Sequence, residues 1–240
     1  MDADDFIDQV GHSSELGLSA VDVYERTRSC IKPGYTDIIG LKYYPDMEPD
    51  IWNHRDLPRW GFVGYDEVSD GNIDIVRSIL VNVLGQNCKS IMEIGVNRNG
   101  ERSISRVFID ERPELCFYLG VDIEDKSYLD DHKARTHTIC CSSEEQVLVR
   151  TYLRSHGINS LDLLMIDGWH SVDTTVNDWR YSDLISPHGW VILHDTNAHP
   201  GSIALFEAVD EKLWIKQRWC LDNDHGIATF KRRAYYGKTD

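Results

Sequence analysis

Short apolar runs alternate with stretches of helical periodicity from residue 70 to the end of the chain. The apolar runs predict seven strands, at 89–94, 116–123, 135–141, 160–167, 189–195, 218–223 and 226–232. The periodic stretches predict helices at 71–86, 100–111, 142–157, 171–185 and 201–215. Because strands that alternate with helices usually pair in parallel, the pattern predicts an α/β fold with a doubly wound, mostly parallel sheet.

The last two predicted strands lie too close together for a crossover helix. A turn-like segment around 222–226 joins them. Parallel neighbours need a connection of a dozen or more residues, whereas antiparallel neighbours need only a short turn. We therefore expect an antiparallel C-terminal hairpin at or near the edge of the sheet.

Residues 1–68 differ in composition and pattern from the rest of the chain. One segment, 18–30, has helical spacing, and the residues after it contain four prolines and many aromatic side chains. A polar linker would not carry so many large apolar groups. We interpret 1–68 as a helical or irregular N-terminal cap, and 69–240 as the main domain. The aromatic segment from Tyr43 to Phe62 could cover a substrate, form a dimer contact or serve as a structural cap.

Composition and charge narrow the classes of partner. Hydrophobic residues make up 41% and charged residues 27% of the 240 residues, as in globular proteins. The formal net charge is −15, which disfavours nucleic acid and anionic membranes as partners and leaves a small molecule. No apolar run approaches the roughly 20 residues that span a bilayer, and the N-terminus lacks the pattern of a signal peptide. These features predict a cytoplasmic protein. A homo-oligomer is possible, and the sequence leaves the oligomeric state open.

The cysteines do not suggest a disulfide framework or a zinc site. None of the six forms a C-x-x-C pair, and most lie in apolar or strand-like text. We interpret them as reduced, mostly buried thiols. The acidic excess leaves one inorganic partner open, a hard divalent cation held by carboxylates.

The ends of the predicted strands are the candidate site, because ligands bind beyond the carboxyl ends of strands in doubly wound sheets. Glu93 ends the first strand, and Gly95 and Gly100 bracket the turn into the next helix. This turn suits a close ligand approach, although it also fits an ordinary loop. It is not G-x-G-x-x-G, which disfavours a dinucleotide. Asp122 ends the second strand, where a carboxylate can accept both ribose hydroxyls or act as a cap.

At this point the sequence resembles the class I S-adenosylmethionine-dependent methyltransferases. "EIGVNRNG" is similar to their first motif and "GVDI" to their acidic second-strand motif. "MIDGWHSVDTTVNDWRYSDLISPHGWVILHDT" resembles the branch of macrocin-type and cephalosporin-hydroxylase-like natural-product O-methyltransferases. The resemblance covers 70–232 and implies a seven-stranded Rossmann-like methyltransferase fold. Asn99 departs from it, since the branch often has Gly there.

The resemblance also assigns cofactor contacts. Gly95 and its neighbours would lie along the methionine part of S-adenosylmethionine, Asp122 would bind the ribose, and Ile123 would flank the adenine. Cys141 and Ser142 match a position near the adenine, where Cys141 departs from the commoner Asp. The cofactor-binding residues implied are Glu93, Gly95, Asn97, Gly100, Ser103, Asp122, Ile123, Cys141, Ser142 and Asp167.

Asp167 and Asp195 end successive strands of the predicted sheet. Adjacent strand ends lie about 5 Å apart, so the two carboxylates repel unless a proton or a cation lies between them. Mg²⁺ or another divalent ion would resolve this repulsion, and many relatives in the branch hold a metal here. Asn197 is a candidate third ligand and His199 a nearby contact. The alternative is that both acids only cap helices.

Histidine 170 is the candidate catalytic base, because it follows Asp167 by three residues on the loop beyond the strand. A helix-start histidine that merely packs is the alternative. Alternation along a strand predicts that His194 points away from Asp195 and is structural. Trp179 lies within a predicted helix, which favours core packing, whereas Trp169 lies in a loop and is more open.

The resulting hypothesis is a metal-assisted O-methyltransferase that acts on a sugar or phenol hydroxyl of a natural product, with His170 and Asp167 as catalytic residues. Three alternatives stay open: an N-methyltransferase without metal, an NAD-type oxidoreductase, and a non-catalytic binding protein that keeps the cofactor fold. Intact Glu93, Gly95, Asp122 and Asp167 disfavour the last one.

Overall fold

A computed structural model describes residues 70–96, 103–196, 199–219 and 225–233. It also describes the backbone of four short strands closer to the N-terminus. These pair antiparallel as His12–Ser13 with Leu18–Ser19 and as Ile31–Pro33 with Tyr43–Pro45. The backbone of Tyr43–Pro45 lies beside the helices at 172–179 and 200–208. The cap formed by 1–68 stays a prediction.

The main sheet has seven strands, as predicted. They are β1 (Ser90–Ile94), β2 (Phe117–Asp122), β3 (Thr136–Cys140), β4 (Leu161–Ile166), β5 (Ile185–His194), β6 (Trp214–Trp219) and β7 (Ile227–Arg232). Their spatial order is β6-β7-β5-β4-β1-β2-β3. The five strands from β5 to β3 pair in parallel, and β7 pairs antiparallel with both β5 and β6. The predicted hairpin therefore forms one edge of the sheet.

Within the described ranges, five α-helices surround the sheet. They are α1 (Asp70–Arg77), α2 (Ile104–Glu111), α3 (Gln146–Ser155), α4 (Val172–Trp179) and α5 (Pro200–Ala208). The predicted helix at 71–86 continues beyond α1 as a π-helix over Ser78–Leu84 and a 3-10 turn over Gly85–Asn87. Further 3-10 turns occupy Ser127–Leu129 and Arg180–Leu184. No helix in the described ranges is both long and apolar enough to cross a bilayer.

Two parts of the predicted pattern have wrong boundaries. β5 begins at Ile185, the last residue of the helix predicted at 171–185, instead of residue 189. The helix predicted at 201–215 ends at Ala208, and β6 begins at Trp214 instead of residue 218. Trp214 is buried and Ile215 is exposed, which is the alternation of a strand that covers the core with one face. Cross-strand pairing of Trp214 with Arg232 then fixes the extra length of β6.

Two hydrophobic clusters cover the two faces of the sheet. Alternate residues of β4 enter different clusters: Leu164 and Ile166 pack with α3, α4 and α5, whereas Leu163 and Met165 pack with α1 and α2. Trp179 is fully buried in the first cluster, as expected for core packing. Burial of both faces explains why the strand text is almost continuously apolar and why its polar residues concentrate at the ends.

The four described cysteines are free thiols, as predicted. Cys88 and Cys116 are buried, Cys141 is half-buried and Cys140 is exposed, so burial is less general than expected. Cys30 and Cys220 lie outside the described residues.

Candidate functional site

Three strand ends meet at Gly95, which leaves β1 with φ 81°. Its N–H donates to Val121 O at 2.9 Å, and Asp167 N donates to Ile94 O at 2.9 Å. A Cβ on Gly95 would lie 2.1 Å from Asp167 O. Only glycine tolerates both the left-handed backbone and this approach. The first-strand glycine therefore positions the end of β4 as well as the turn after β1.

Glutamate 93 lies inside the fold rather than at its surface. It is 1% exposed and accepts hydrogen bonds from Ser105 Oγ at 2.9 Å and from the Tyr118 hydroxyl. Burial raises the pKa of Glu93 to about 8, and the two hydroxyl donors only partly oppose this shift. Almost none of the Glu93 carboxylate is exposed, which leaves little surface for the predicted direct contact with a cofactor. Glu93 instead joins β1 to β2 and α2.

The end of β2 presents an anchored carboxylate beside an exposed apolar side chain. Asp122 is half-buried and accepts from Val96 N at 2.7 Å and from Glu124 N at 2.8 Å. Two N–H donors fix its orientation, and a carboxylate retains further lone pairs for ribose hydroxyls. Ile123 is 77% exposed, as a residue that flanks an adenine would be before the ligand binds.

The other predicted cofactor residues are placed in part. Cys141 is half-buried next to the end of β2, since its N–H donates to Asp122 O at 2.8 Å. Ser142 Oγ accepts from Glu144 N at 3.2 Å. Ser103 is buried and caps the N-terminus of α2. Asn97 and Gly100 lie outside the described residues, and their roles stay predictions.

A cluster of carboxylates and imidazoles lies at the ends of β4 and β5. His170 Nε2 lies 2.7 Å from Asp195 Oδ2 and 3.7 Å from Asp167 Oδ1. Helix α5 comes close to the His170 loop because residue 201 is glycine: Gly201 N donates to His170 O at 3.1 Å, and a Cβ there would lie 2.4 Å from that oxygen. The structure thus brings together the predicted base and both predicted ligand acids, with His170 buried against Asp195.

The predicted placement of His194 away from Asp195 is wrong. His194 Nδ1 lies 2.9 Å from Asp167 Oδ1 and 2.9 Å from Asp195 Oδ1. His194 does lie on the α1 face of β5, where Nε2 contacts Asn72 Nδ2 at 3.3 Å. Asp195, however, has φ 60° and has left the strand conformation. Alternation therefore fails between the two residues, and both side chains meet at Asp167.

Two further histidines complete the cluster. His199 Nε2 lies 3.4 Å from Asp195 Oδ2, and His225 Nδ1 lies 3.3 Å from Asp195 Oδ1. His199 was expected only as a nearby contact, and His225 was missed. A signal for His225 existed: it precedes β7, whose first residue pairs with His194, so it must lie near the end of β5. Asn197, the predicted third metal ligand, lies outside the described residues.

The members of the cluster differ in their charge states. Burial alone would lower the pKa of His194, but Asp167 and Asp195 raise it well above its ordinary value. Burial likewise opposes ionisation of Asp195, yet His170 and His194 hold its pKa well below its ordinary value. Burial lowers the pKa of His199 to about 3, so this imidazole is neutral. A His194 imidazolium thus supplies a positive charge between the two acids.

Two overlapping sets of side chains can hold a metal ion. They are Asp167, His170 and Asp195, and Asp195, His199 and His225. In each set the ligand atoms lie within 4.8 Å of one another. Asp195 Oδ1 is buried and, among the described residues, has no hydrogen bond of normal geometry, which suits an oxygen meant for a cation. The donor atoms and their spacing therefore fit a divalent ion.

Known proteins were compared with this chain. No protein-family model matches it, and no curated protein matches it either. A structure of the MycE methyltransferase of mycinamycin biosynthesis, with Mg, SAH and mycinamycin VI, is similar over 74% of this chain and 54% of that one. Its TM-score is 0.51 at 16% identity. The chain has the class I methyltransferase fold.

A second class I structure extends this result. CalS11, a TDP-rhamnose 3'-O-methyltransferase of calicheamicin biosynthesis, is similar over 71% of this chain and 82% of that one, with TM-score 0.50 and 16% identity. Our chain spans about half the length of MycE and most of CalS11. Both neighbours are methyltransferases of natural-product biosynthesis, and the structural similarity to them confirms the fold that the sequence motifs implied.

Proposed function

We propose that this protein transfers a methyl group from S-adenosylmethionine to a hydroxyl of a small molecule, such as a sugar or a phenol. The observation that carries the proposal is the carboxylate–imidazole cluster at the ends of β4 and β5. It lies beyond the carboxyl ends of the parallel strands, as do Asp122 and Ile123 at the end of β2. The same end of the sheet therefore offers an acid for the ribose at β2 and acid–base and cation-binding groups at β4 and β5.

The cofactor would supply the electrophilic methyl group, and the chain would fix its position. Asp122 accepts two backbone hydrogen bonds, so its carboxylate needs no reordering when it meets the ribose. Ile123 offers an exposed apolar surface to the adenine. Catalysis of such a displacement comes mostly from holding the acceptor oxygen and the methyl carbon in near-attack geometry.

A divalent cation bound to Asp195 and its neighbours would lower the pKa of the acceptor hydroxyl. Support for this part is the donor set itself, which offers carboxylate oxygens and imidazole nitrogens at ligand spacing. Asp167 would take part by facing the same ion or by holding the His194 imidazolium. MycE was solved with Mg, which is consistent with a metal-assisted enzyme of this fold.

Histidine 170 is the group we assign as base. Its Nε2 lies 2.7 Å from Asp195 Oδ2, and its Nδ1 lies 3.4 Å from Ser202 Oγ. Ser202 Oγ contacts the nitrogen opposite the assigned base and thus orients the ring, as the third group does in other nucleophile–base sites. If Asp195 held a cation, its oxygen would no longer compete for Nε2, and that nitrogen would be able to accept the proton of the substrate hydroxyl.

One observation favours a second candidate, a methyltransferase that needs no metal. His194 Nδ1 lies 2.9 Å from an oxygen of each acid, so a protonated imidazole can neutralise the pair. The repulsion between Asp167 and Asp195 then does not by itself demand a cation. An amine acceptor, which needs no strongly activated oxygen, would suit this alternative.

Methyl transfer from isotopically labelled S-adenosylmethionine to a panel of phenols, sugars and amines tests the proposal. We expect label in a hydroxyl acceptor, loss of transfer in a chelator and recovery with a divalent ion. His170→Ala should lower turnover by about 10²–10⁴-fold, and its defect should shrink as pH rises. Exposed His188 on β5 gives the matched control, His188→Ala. Full turnover in the chelator, or transfer only to amines, would favour the metal-free alternative.

A further inference from the structure

We propose that Asp195, His199 and His225 form a site for a borderline transition-metal ion, such as Zn²⁺, Fe²⁺ or Co²⁺, rather than for Mg²⁺. The inference deepens the proposed function and rests on it, in that the same ion would assist methyl transfer. Ion binding by these three residues can nevertheless be measured without any methyl transfer.

The spacing of the ligand atoms fits one ion that faces the carboxylate of Asp195. His199 Nε2 lies 3.4 Å from Asp195 Oδ2, His225 Nδ1 lies 3.3 Å from Asp195 Oδ1, and the ligand atoms of the set lie within 4.8 Å of one another. Bonds of about 2.0–2.2 Å to nitrogen and oxygen place neighbouring ligands of one metal roughly 3.0–3.5 Å apart. Both contacts are longer than a good hydrogen bond and fall within the ligand range.

The chemistry of the donors selects the class of ion. Two of the three ligands are imidazoles, and the third is a carboxylate. Imidazole suits Zn²⁺, Fe²⁺ and other transition metals, whereas Mg²⁺ takes oxygen ligands and retains several waters. Two histidines and one carboxylate leave other coordination positions open, where a substrate oxygen could bind.

The overlapping set of Asp167, His170 and Asp195 fits an ion less well. His170 Nε2 lies 2.7 Å from Asp195 Oδ2, which is closer than the roughly 3.0–3.5 Å that separates neighbouring ligands of one ion. Asp167 Oδ1 already lies 2.9 Å from His194 Nδ1 and is 3.7 Å from His170. An ion on this set would also occupy the nitrogen that we assign as base. Placement on His199 and His225 keeps His170 available for proton transfer.

The backbone prearranges the proposed site. His199 N donates to Asp195 O at 3.0 Å, and His199 is the N-cap residue of helix α5. Thr196 N contacts Gly226 O at 3.4 Å, which ties the residue after His225 to the end of β5. The side chains of His199 and His225 are 19% and 14% exposed, against 3% for Asp195. An ion can therefore enter from the imidazole side and meet a buried carboxylate.

Titration of the metal-free full-length protein with Co²⁺, Zn²⁺ and Mg²⁺ tests the site, with Co²⁺ visible absorption and calorimetry as readouts. We expect one Co²⁺ or Zn²⁺ per chain and Mg²⁺ binding at least about 100-fold weaker. His199→Ala and His225→Ala should each weaken Co²⁺ binding at least about tenfold, since even outer-shell losses cost that much. The control His188→Ala should bind Co²⁺ like the wild type, and His170→Ala and Asp167→Asn should each weaken Co²⁺ binding less than His199→Ala and His225→Ala do. Melting temperatures of all variants establish that they are folded.

Three results would overturn the proposal: tighter binding of Mg²⁺ than of Co²⁺, no binding of either transition metal, or Co²⁺ binding that depends on Asp167 and His170 but not on His225. The outcome is separable from that of the proposed function. A protein that binds Co²⁺ through His199 and His225 but not S-adenosylhomocysteine would retain the metal site and refute the methyltransferase. The opposite pattern would refute the metal site alone.

Discussion

Glutamate 93 at the end of β1 and aspartate 195 after the end of β5 are both buried acids, 1% and 2% exposed. Their pKa values nevertheless shift in opposite directions. Burial raises that of Glu93 to about 8, because its partners are the neutral hydroxyls of Ser105 and Tyr118. Imidazoles hold that of Asp195 well below its ordinary value despite burial. The partner, and not the degree of burial, decides which buried acid keeps its charge.

The same contrast separates the two halves of the site. Acids near β1 and β2 are satisfied by backbone N–H groups or hydroxyls and hold the fold in shape. Acids near β4 and β5 face four histidines, so charged groups are concentrated beyond the ends of these two strands. The first half is thus suited to receive a cofactor, and the second half to perform proton and cation chemistry.

The largest effect should come from Asp195→Asn. The substitution keeps the side-chain size but removes the charge shared by His170, His194, His199 and His225. Turnover should fall by at least about 100-fold, while binding of S-adenosylhomocysteine stays within about twofold. Steady-state kinetics and calorimetry measure the two quantities. Asp110→Asn, on the exposed side of α2, is the matched control. Unchanged turnover would show that the charged half is structural.

His194→Gln should destabilise the metal-free protein by about 3–5 kcal/mol, because it leaves the buried carboxylate of Asp195 and the half-buried carboxylate of Asp167 without their imidazolium. The pKa of His194 is raised above its ordinary value of 6.5, so its contribution is full below pH 6.5 and is lost as pH rises through the raised value. The deficit of the variant should therefore shrink in alkaline solution. Denaturant unfolding at several pH values measures this, with His188→Gln as control. A deficit independent of pH would mean that His194 is neutral.

Glu93→Gln should have the smallest effect, with the opposite dependence on pH. Because the pKa of Glu93 rises from 4.5 to about 8, the folded state retains a proton that the unfolded state releases, and wild-type stability falls between these pH values. The variant stays neutral and escapes this loss, by on the order of 1–3 kcal/mol. Its melting temperature relative to wild type should rise with pH. The control variant Glu114→Gln, at an exposed position, should show no such trend. If the melting temperature of Glu93→Gln relative to wild type did not rise with pH, Glu93 would be ionised in the folded protein.

Much of this contrast could be predicted from the sequence, and its centre could not. The periodicity of the sequence correctly predicted that Asp167 and Asp195 follow the ends of two successive strands, because the position of a strand end depends on the local pattern of apolar residues. The left-handed backbone of Asp195 is invisible in the sequence, so His194 was placed on the wrong side of its neighbour. His225 depended on the register of the last hairpin, and the start of β6 was misplaced by a helix-like run of apolar residues.

Calorimetric titration with S-adenosylhomocysteine tests the central claim most directly, because the proposed function requires the first half to bind this cofactor. We predict binding to the wild type and loss of about 1.5–3 kcal/mol per ribose contact in Asp122→Ala and Asp122→Asn, with Asp110→Ala unchanged. Melting temperatures must show that the variants are folded, since Asp122 also accepts from Val96 N and Glu124 N. NAD should not bind. Absence of S-adenosylhomocysteine binding, equal affinity in folded Asp122 variants, or tight binding of NAD would contradict the account.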